Sequence, residues 1–111
     1  MSNPSKAKGT SFESACVDYF RANGYPNCER RALAGALDKG DLTGIPVVVE
    51  CKNVKAINLA AFVDEAVVEA TNAGAPLGIA VIKRRGRSDA GEAYAVMRLS
   101  DAVELIRGWD Q

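Results

Sequence analysis

The chain has 111 residues, of which 48% are hydrophobic and 25% charged, and its 14 basic residues balance 14 acidic ones. These values are ordinary for one globular domain, and they argue against a uniformly basic nucleic-acid binder. Histidine is absent from the sequence, which excludes Ser-His-Asp and Cys-His nucleophile systems and histidine metal sites. Any catalysis must therefore rest on carboxylates, lysine, arginine, hydroxyls or thiols, with a hard metal ion as the expected cofactor.

The N-terminus and the cysteines bear on location and domain organisation. Residues 1–9 are small and polar, which predicts a flexible tail before a single domain over residues 10–111. No apolar run approaches the ~20 residues of a membrane span, and no signal peptide is recognisable. Cys16, Cys28 and Cys51 are scattered without a C-x-x-C pair, which fits reduced thiols better than a disulfide or zinc framework. We therefore expect a cytoplasmic protein that is neither secreted nor bound to a membrane.

The first predicted element is a helix that begins at Thr10. Glu13 follows Thr10 at the spacing of a capping box, which by itself accounts for this glutamate without any chemistry. Apolar side chains then recur at helical spacing as far as Phe20. Gly24, followed by Pro26, ends the predicted helix.

The middle of the chain predicts two or three strands. Residues 27–33 are predicted to form a short strand of mixed polarity, followed by a turn rich in glycine and aspartate and by up to one short strand around Asp41. Residues 45–52, IPVVVECK, are the clearest strand, because they are β-branched, short and bounded by turn signals. In this strand Val49 and Cys51 point to one face, where Cys51 is expected to pack as a small hydrophobe.

The second half of the chain alternates helices and strands. Asn58 is predicted to cap a helix whose apolar residues, starting at Leu59, recur at i, i+3, i+4, i+7, i+8 and i+11. Strands follow over residues 77–83 and 92–99, and a last helix ends near Trp109, which is expected to fold back onto the core. A helix between two buried strands predicts a parallel pair joined by a right-handed crossover. The expected fold is a small α/β domain with a mixed central sheet and helices on both faces.

The predicted strand over residues 45–52 carries charged residues at its C-terminal end. Five apolar residues run directly into Glu50, and Lys52 follows on the same face, since side chains two apart in a strand point the same way. Asp41 lies just before the turn LTGIP, and a hairpin would bring its carboxylate beside Glu50. Two adjacent carboxylates repel unless a proton or a cation lies between them, and Mg²⁺ with its oxygen ligands and waters resolves that conflict. The metal would lower the pKa of a bound water. Lys52 could position that water and stabilise the negative charge that builds on a phosphate.

The sequence resembles the PD-(D/E)xK nuclease superfamily in the pattern of Asp41, Glu50 and Lys52. The apolar run before Glu50 and the glutamate in the preceding helix, Glu13, also agree with that pattern. Within the superfamily, the chain is most similar to the small archaeal-type Holliday-junction resolvases, which also occur in phages. The order of predicted elements agrees with that family over about residues 9–99, and Gly40 stands where the family name has its proline. The resemblance implies a restriction-endonuclease-like αβββαβ core and a bacterial, archaeal or phage-infected host cell.

The resemblance also implies roles for individual residues. Asp41 and Glu50 would ligate Mg²⁺, which Mn²⁺ could replace, and the backbone carbonyl of Cys51 would be a third ligand. Lys52 would orient or activate the attacking water. Glu13 would bind the metal indirectly or assist proton transfer.

The same resemblance implies DNA as the substrate. The protein would be a Mg²⁺-dependent endonuclease that acts as a homodimer on branched DNA, above all on four-way junctions. Six basic residues in two stretches of the sequence are expected to contact DNA phosphates: Arg30, Arg31, Lys83, Arg84, Arg85 and Arg87. Such contacts would make binding sensitive to salt and indifferent to sequence.

Other interpretations of these residues stay open from the sequence. Glu50 and Lys52 could be a solvated strand end whose ion pair contributes less than about 1 kcal/mol, and Asp41 could simply form a turn. The basic stretches could be solvated surface. The same site could belong to a restriction-like, repair or replication-fork nuclease, and the same fold could serve an inactive relative that binds DNA or a protein partner.

Overall fold

The computed structural model describes residues 4–32 and 35–110 of the chain. Its elements follow the predicted order of a helix, short strands, a second helix, two further strands and a third helix. They are α1 (Pro4–Ala22), β1 (Glu29–Arg30), β2 (Leu42–Thr43), β3 (Val48–Lys52), α2 (Leu59–Ala73), β4 (Gly78–Ile82), β5 (Tyr94–Val96) and α3 (Leu99–Trp109), with a 3₁₀ turn at Ala90–Glu92. In the described part of the chain, each helix is too short or too polar to cross a membrane.

The central sheet has the strand order β3–β4–β5. β3 and β4 are parallel, in register from Val48 opposite Gly78 to Lys52 opposite Ile82, so the predicted parallel pair is confirmed. β5 runs antiparallel to β4, and β1 and β2 form a separate antiparallel pair. The structure is therefore mixed α/β, as predicted, with a three-stranded mixed sheet flanked by helices.

The first helix begins at Pro4 rather than at the predicted Thr10. Proline suits the first turn of a helix because its missing N–H would have no partner there, and the lysines and alanine that follow are good helix formers. Residues 4–9, predicted as part of a flexible tail, are thus helical. Thr10 lies inside the helix, so the predicted capping box is wrong, and Glu13 is left to make contacts outside its own helix.

The strands are shorter than the sequence predicted. β3 begins at Val48 rather than at Ile45, because Pro46 has no N–H to donate to a neighbouring strand. β1 and β5 also lose residues at their ends. Residue 33, at the end of the stretch predicted for β1, lies outside the described residues.

Helices cover both faces of β3. Towards α1, Cys51 packs against an apolar cluster, as predicted. The buried side chains of this cluster are Phe12, Cys16, Val17, Cys28, Leu42 and Val49. Towards α2, small residues allow a close approach, since Ala66 and Ala80 are buried and a Cβ on Gly78 would overlap the backbone carbonyl of Ala66. Trp109 is 92% exposed, so the expectation that it folds back onto the core is wrong.

Candidate metal centre

Asp41 is held against β3 by hydrogen bonds on either side of Glu50. The backbone N–H of Asp41 donates to the carbonyl of Val49 at 2.9 Å. Its Oδ2 accepts the backbone N–H of Cys51 at 2.7 Å. The structure therefore brings the two carboxylates together across a tight bend, because the backbone on both sides of Glu50 is bonded to the same aspartate.

The turn that delivers Asp41 requires glycine at position 40. Gly40 has a φ of 96°, which glycine adopts readily, whereas proline is fixed near about −65°. A Cβ added to Gly40 would lie 2.7 Å from Cγ1 of Val48. The N–H of Gly40 also donates to Oδ1 of Asp38 at 2.9 Å. Proline could not adopt this conformation, which accounts for the glycine in front of Asp41.

Glu50 and Lys52 share the face of β3 that α2 covers. Glu50 is 6% exposed, its Oε1 lies 3.4 Å from Nζ of Lys52, and its Oε2 has no hydrogen-bond partner. The same Nζ lies 2.8 Å from Oε2 of Glu65 and 5.1 Å from the centre of the Phe62 ring, which is a cation–π contact. The alternative of a solvated strand end is therefore wrong for this glutamate.

Four carboxylates from three parts of the chain meet beside Lys52. One oxygen of each lies within 4.8 Å of the others, and they belong to Asp38, Glu50, Glu65 and Glu69. We call this group the acidic cluster, and it could hold a metal ion. Glu69 is 2% exposed, and neither of its carboxylate oxygens has a hydrogen-bond partner among the described residues.

Three members of the acidic cluster were not predicted from the sequence. Glu65 and Glu69 lie one turn apart on α2, and a signal for Glu69 was present in the sequence. Glu69 follows Phe62 by two helical turns, so it lies on the face of the apolar stripe, where an acidic side chain is out of place. Asp38 gave no comparable signal, because aspartate is common in a turn rich in glycine.

Burial and mutual repulsion shift the carboxyl groups towards their protonated forms. Burial, followed by the proximity of Glu69 and Asp41, raises the pKa of Glu50 to about 10. Burial also raises the pKa of Glu69 to about 7 and that of Asp41 to about 6. A divalent cation would allow these groups to ionise together. Burial opposes the charge of Lys52, but Glu65 and Glu50 outweigh it and raise the lysine pKa, so this side chain can donate a hydrogen bond rather than accept a proton.

Glu13 and Asp41 line one cleft of about 600 Å³, together with Arg30 and Arg31. Oε2 of Glu13 lies 3.6 Å from Nη2 of Arg30. The backbone N–H of Arg31 donates to the carbonyl of Asp41 at 2.8 Å. We call this space the α1 cleft, because the first turns of α1 form one wall. The structure thus gathers four predicted site residues around it.

Three of the other four predicted DNA contacts line a second cleft, of about 750 Å³. Its basic side chains come from three parts of the chain: Lys8, Lys55, Lys83, Arg84 and Arg85. We call it the basic cleft, and the described residues that line it include no acid. Lys8 and Lys55 were not predicted. Arg87 was predicted but does not line the cleft; its Nη1 lies 3.7 Å from Oε1 of Glu92.

None of the protein-family models, curated proteins or solved structures compared with the chain matches it. The resemblance to PD-(D/E)xK nucleases therefore rests on the residues themselves. Their placement in the fold is the ground on which a function can be proposed.

Proposed function

We propose that this protein is a Mg²⁺-dependent, structure-selective DNA endonuclease and that four-way junctions are its substrate. The observation that carries the proposal is the attachment of Asp41 to the backbone on both sides of Glu50, whose Oε2 is buried without a partner. Two carboxylates held so close, with Lys52 beside one of them, suit a hard cation and a phosphate. The order of the elements supports a restriction-endonuclease-like core.

The residues at this site fit Mg²⁺ because they offer oxygen ligands. Asp41 and Glu50 would hold the ion, with the backbone carbonyl of Cys51 as a third ligand. When bound, Mg²⁺ would acidify a water and offset charge on the scissile phosphate. Lys52 would orient that water as its oxygen forms a bond to phosphorus. It would also stabilise the charge that builds on the phosphate as the P–O bond to the sugar oxygen breaks, and that oxygen leaves as a hydroxyl after it takes a proton from solvent. Glu13, which lines the α1 cleft together with Asp41, would receive the proton or bind the metal through water.

Contacts to the DNA backbone would come from both clefts. Lys6 lines the α1 cleft and Lys8 lines the basic cleft, so the first turns of α1 border both spaces. A DNA strand that crosses these turns would meet the arginines of the α1 cleft and then the lysines and arginines of the basic cleft. Because such contacts neutralise phosphates, binding would weaken steeply with salt and show little dependence on sequence.

Symmetric cleavage of a four-way junction requires two active sites, which a homodimer would supply. Leu99, Ile106 and Trp109 are exposed on one face of α3, and a helix as short as α3 is marginal in water unless it packs against a partner. We assign this face to a second copy of the chain. The change Trp109→Glu should convert a dimer to a monomer in size-exclusion chromatography with light scattering.

The direct test is cleavage of labelled four-way, flap and linear DNA with Mg²⁺. We expect the wild type to cut the junction, and Asp41→Asn and Lys52→Ala to cut it at least about 100-fold more slowly while still binding it, the scale of one lost electrostatic contributor. Asp18→Asn, an exposed change on α1, is the matched control and should cut at the wild-type rate.

Each outcome of this experiment has a distinct meaning. A preference for flap or linear DNA would keep the site but replace the junction with the substrate of a restriction-like, repair or fork nuclease. Failure to cut any of the three DNAs, with binding intact, would favour an inactive DNA-binding module. Full cleavage by Asp41→Asn would contradict the proposed site itself.

A further inference from the structure

Glu69 has no role in the proposed nuclease reaction, yet it is among the most buried side chains of the described residues. Both of its carboxylate oxygens lack a hydrogen-bond partner, and so does Oε2 of Glu50. A buried polar group without a partner is costly, and a buried charge without one is more so. These three oxygens can be satisfied in two ways, by a proton shared between Glu50 and Glu69 or by a cationic partner that the protein chain does not supply.

Lys52 cannot be that partner. Its Nζ lies 2.8 Å from Glu65 and 3.4 Å from Oε1 of Glu50, and no ion pair within 4.0 Å joins it to Glu69. Among the described residues, no other lysine or arginine forms an ion pair with Glu69 either. The ammonium of Lys52 thus pairs with two of the four carboxylates, and the most buried one, Glu69, has no cation beside it.

The spacing of the acidic cluster suits a divalent ion. Mg²⁺ and Ca²⁺ bind oxygen at roughly 2.0–2.6 Å, so two ligands on opposite sides of an ion lie about 4–5 Å apart. One oxygen from each of the four carboxylates lies within 4.8 Å of the others. Glu50 and Glu69 are buried, Glu65 is half-buried and Asp38 is exposed, which leaves a side through which an ion and its waters could enter.

We propose that a divalent cation binds between β3 and α2, held by Glu50 and Glu69 in the interior and by Asp38 and Glu65 at the rim. This site differs from the one formed by Asp41, Glu50 and the Cys51 carbonyl, with which it shares Glu50. It rests on the unpartnered carboxylates and stands whether or not the protein cuts DNA.

The cation would tie together the segments that position Asp41. Asp38 accepts the N–H of Gly40 through Oδ1, at 2.9 Å, and its carbonyl accepts Nδ2 of Asn72 on α2, at 2.8 Å. An ion held by Asp38 and Glu69 would fasten the turn before Asp41 to α2. The bound cation would therefore stabilise the arrangement of the sheet edge in addition to neutralising the charges of the acidic cluster.

Titration of the DNA-free protein with Mn²⁺ tests this site without any nuclease assay. Bound Mn²⁺ is counted from the loss of the free-ion electron paramagnetic resonance signal, and its effect on folding is followed as the melting temperature at pH 7.5. We expect the wild type to bind Mn²⁺ and melt at a higher temperature. Glu69→Gln should bind it at least about 10-fold more weakly at this site, whereas Asp18→Asn, an exposed change on α1, should match the wild type.

Other variants keep the test decisive. If Glu69→Gln does not fold, the exposed Asp38→Asn should still lower Mn²⁺ affinity several-fold. Asp41→Asn should leave the effect of Glu69→Gln in place. The proposal is overturned if Glu69→Gln binds Mn²⁺ as the wild type does. It is also overturned if added Mn²⁺ leaves the wild-type melting temperature unchanged while the change Glu69→Gln alone raises that temperature. That result would mean that a shared proton, and not a cation, lies between Glu50 and Glu69. Failure of cleavage with Mn²⁺ binding intact would contradict only the nuclease.

Discussion

The two faces of β3 bury different kinds of side chain, although both are covered by a helix. Towards α1, Val49 packs in an apolar cluster with Cys51 against it. Towards α2, Glu50 and Lys52 are enclosed with two glutamates of that helix. Alternation along a strand places the four residues in this way, so a single segment of five residues separates an apolar interior from a charged one.

The contrast indicates which face stabilises the fold and which is reserved for a ligand. Burying apolar area is favourable by roughly 25 cal/mol per Å², whereas a buried ion pair often fails to recover the cost of its desolvation. The α1 face therefore stabilises the fold through apolar burial alone, whereas the α2 face buries carboxylates beside apolar residues such as Ala66, Ala80 and Ile82. The α2 face makes physical sense if a cation completes it, and changes on the two faces should have opposite consequences.

The largest expected effect on stability belongs to the α1 face. Leu42 is 2% exposed in the apolar cluster, and Leu42→Ala should lower the free energy of unfolding by about 2–5 kcal/mol. Under conditions where the variant is folded, cleavage per folded molecule should stay close to wild type. Urea denaturation and a cleavage assay on the same sample measure both quantities. A comparable loss from the exposed Leu37→Ala would contradict the assignment of this core.

Glu50→Gln on the α2 face should separate activity from stability. We expect cleavage to fall at least about 100-fold, which is about 2.7 kcal/mol of activation free energy. At neutral pH the metal-free variant should melt at a higher temperature than the metal-free wild type, because burial raises the pKa of Glu50 to about 10 and folding must protonate it, which an amide does not require. Glu29→Gln, an exposed change on β1, is the control for both readings. A lower melting temperature for Glu50→Gln would show that the glutamate stabilises the fold.

The turn that joins the two faces can be tested at Gly40. Gly40 and Gly24 both have φ near 100°, at 96° and 101°, so alanine at either position should cost about 1–2 kcal/mol for the backbone conformation. A Cβ at Gly40 would also lie 2.7 Å from Val48, whereas one at Gly24 meets nothing within 4 Å. Gly40→Ala should therefore be the more destabilising of the two in urea denaturation, and it alone should slow cleavage, since it displaces Asp41.

The sequence predicted one face of β3 better than the other. The apolar run and its turn signals were sufficient for the strand, its parallel partner and the inward position of Cys51. Asp41 beside Glu50 followed from the tight turn between them. Glu65 and Glu69 were not predicted, because the apolar stripe of α2 indicates which face is buried but not which groups its acidic neighbours contact. Asp38 depends on a turn whose path no local pattern specifies.

The acidic cluster should make the stability of the metal-free protein depend on pH. The pKa of Glu69 rises from 4.5 to about 7 and that of Asp41 from 3.8 to about 6 on folding. The pKa of Glu50 rises further, from 4.5 to about 10. Between the unfolded and folded pKa values the folded state binds more protons than the unfolded state, so stability falls as the pH rises from about 4 towards 10. A loss of 1 kcal/mol lowers the melting temperature by roughly 4–8 °C in a domain near this size.

Two measurements check this pH dependence. Melting curves in a chelator from pH 4 to 8 should fall more gently for Glu69→Gln than for the wild type. Added Mn²⁺ should recover more stability at pH 7.5 than at pH 5, because protons compete with the ion at low pH. Equal recovery at both values would contradict a site made of ionised carboxylates.

The smallest effects are expected at the basic cleft. Its side chains are expected to contact DNA phosphates, and they do not belong to the buried charged groups between β3 and α2. Lys83→Ala should reduce the slope of log K against log salt by about 1, because one phosphate contact fewer releases one counterion fewer. The change should weaken junction binding without altering the cleavage rate at saturating DNA, since Lys83 lines the basic cleft and not the α1 cleft. Arg107→Ala, at an exposed position of α3 that lines neither cleft, should leave the slope unchanged. Equal slopes for the two variants would mean that the charges of this cleft do not contact DNA.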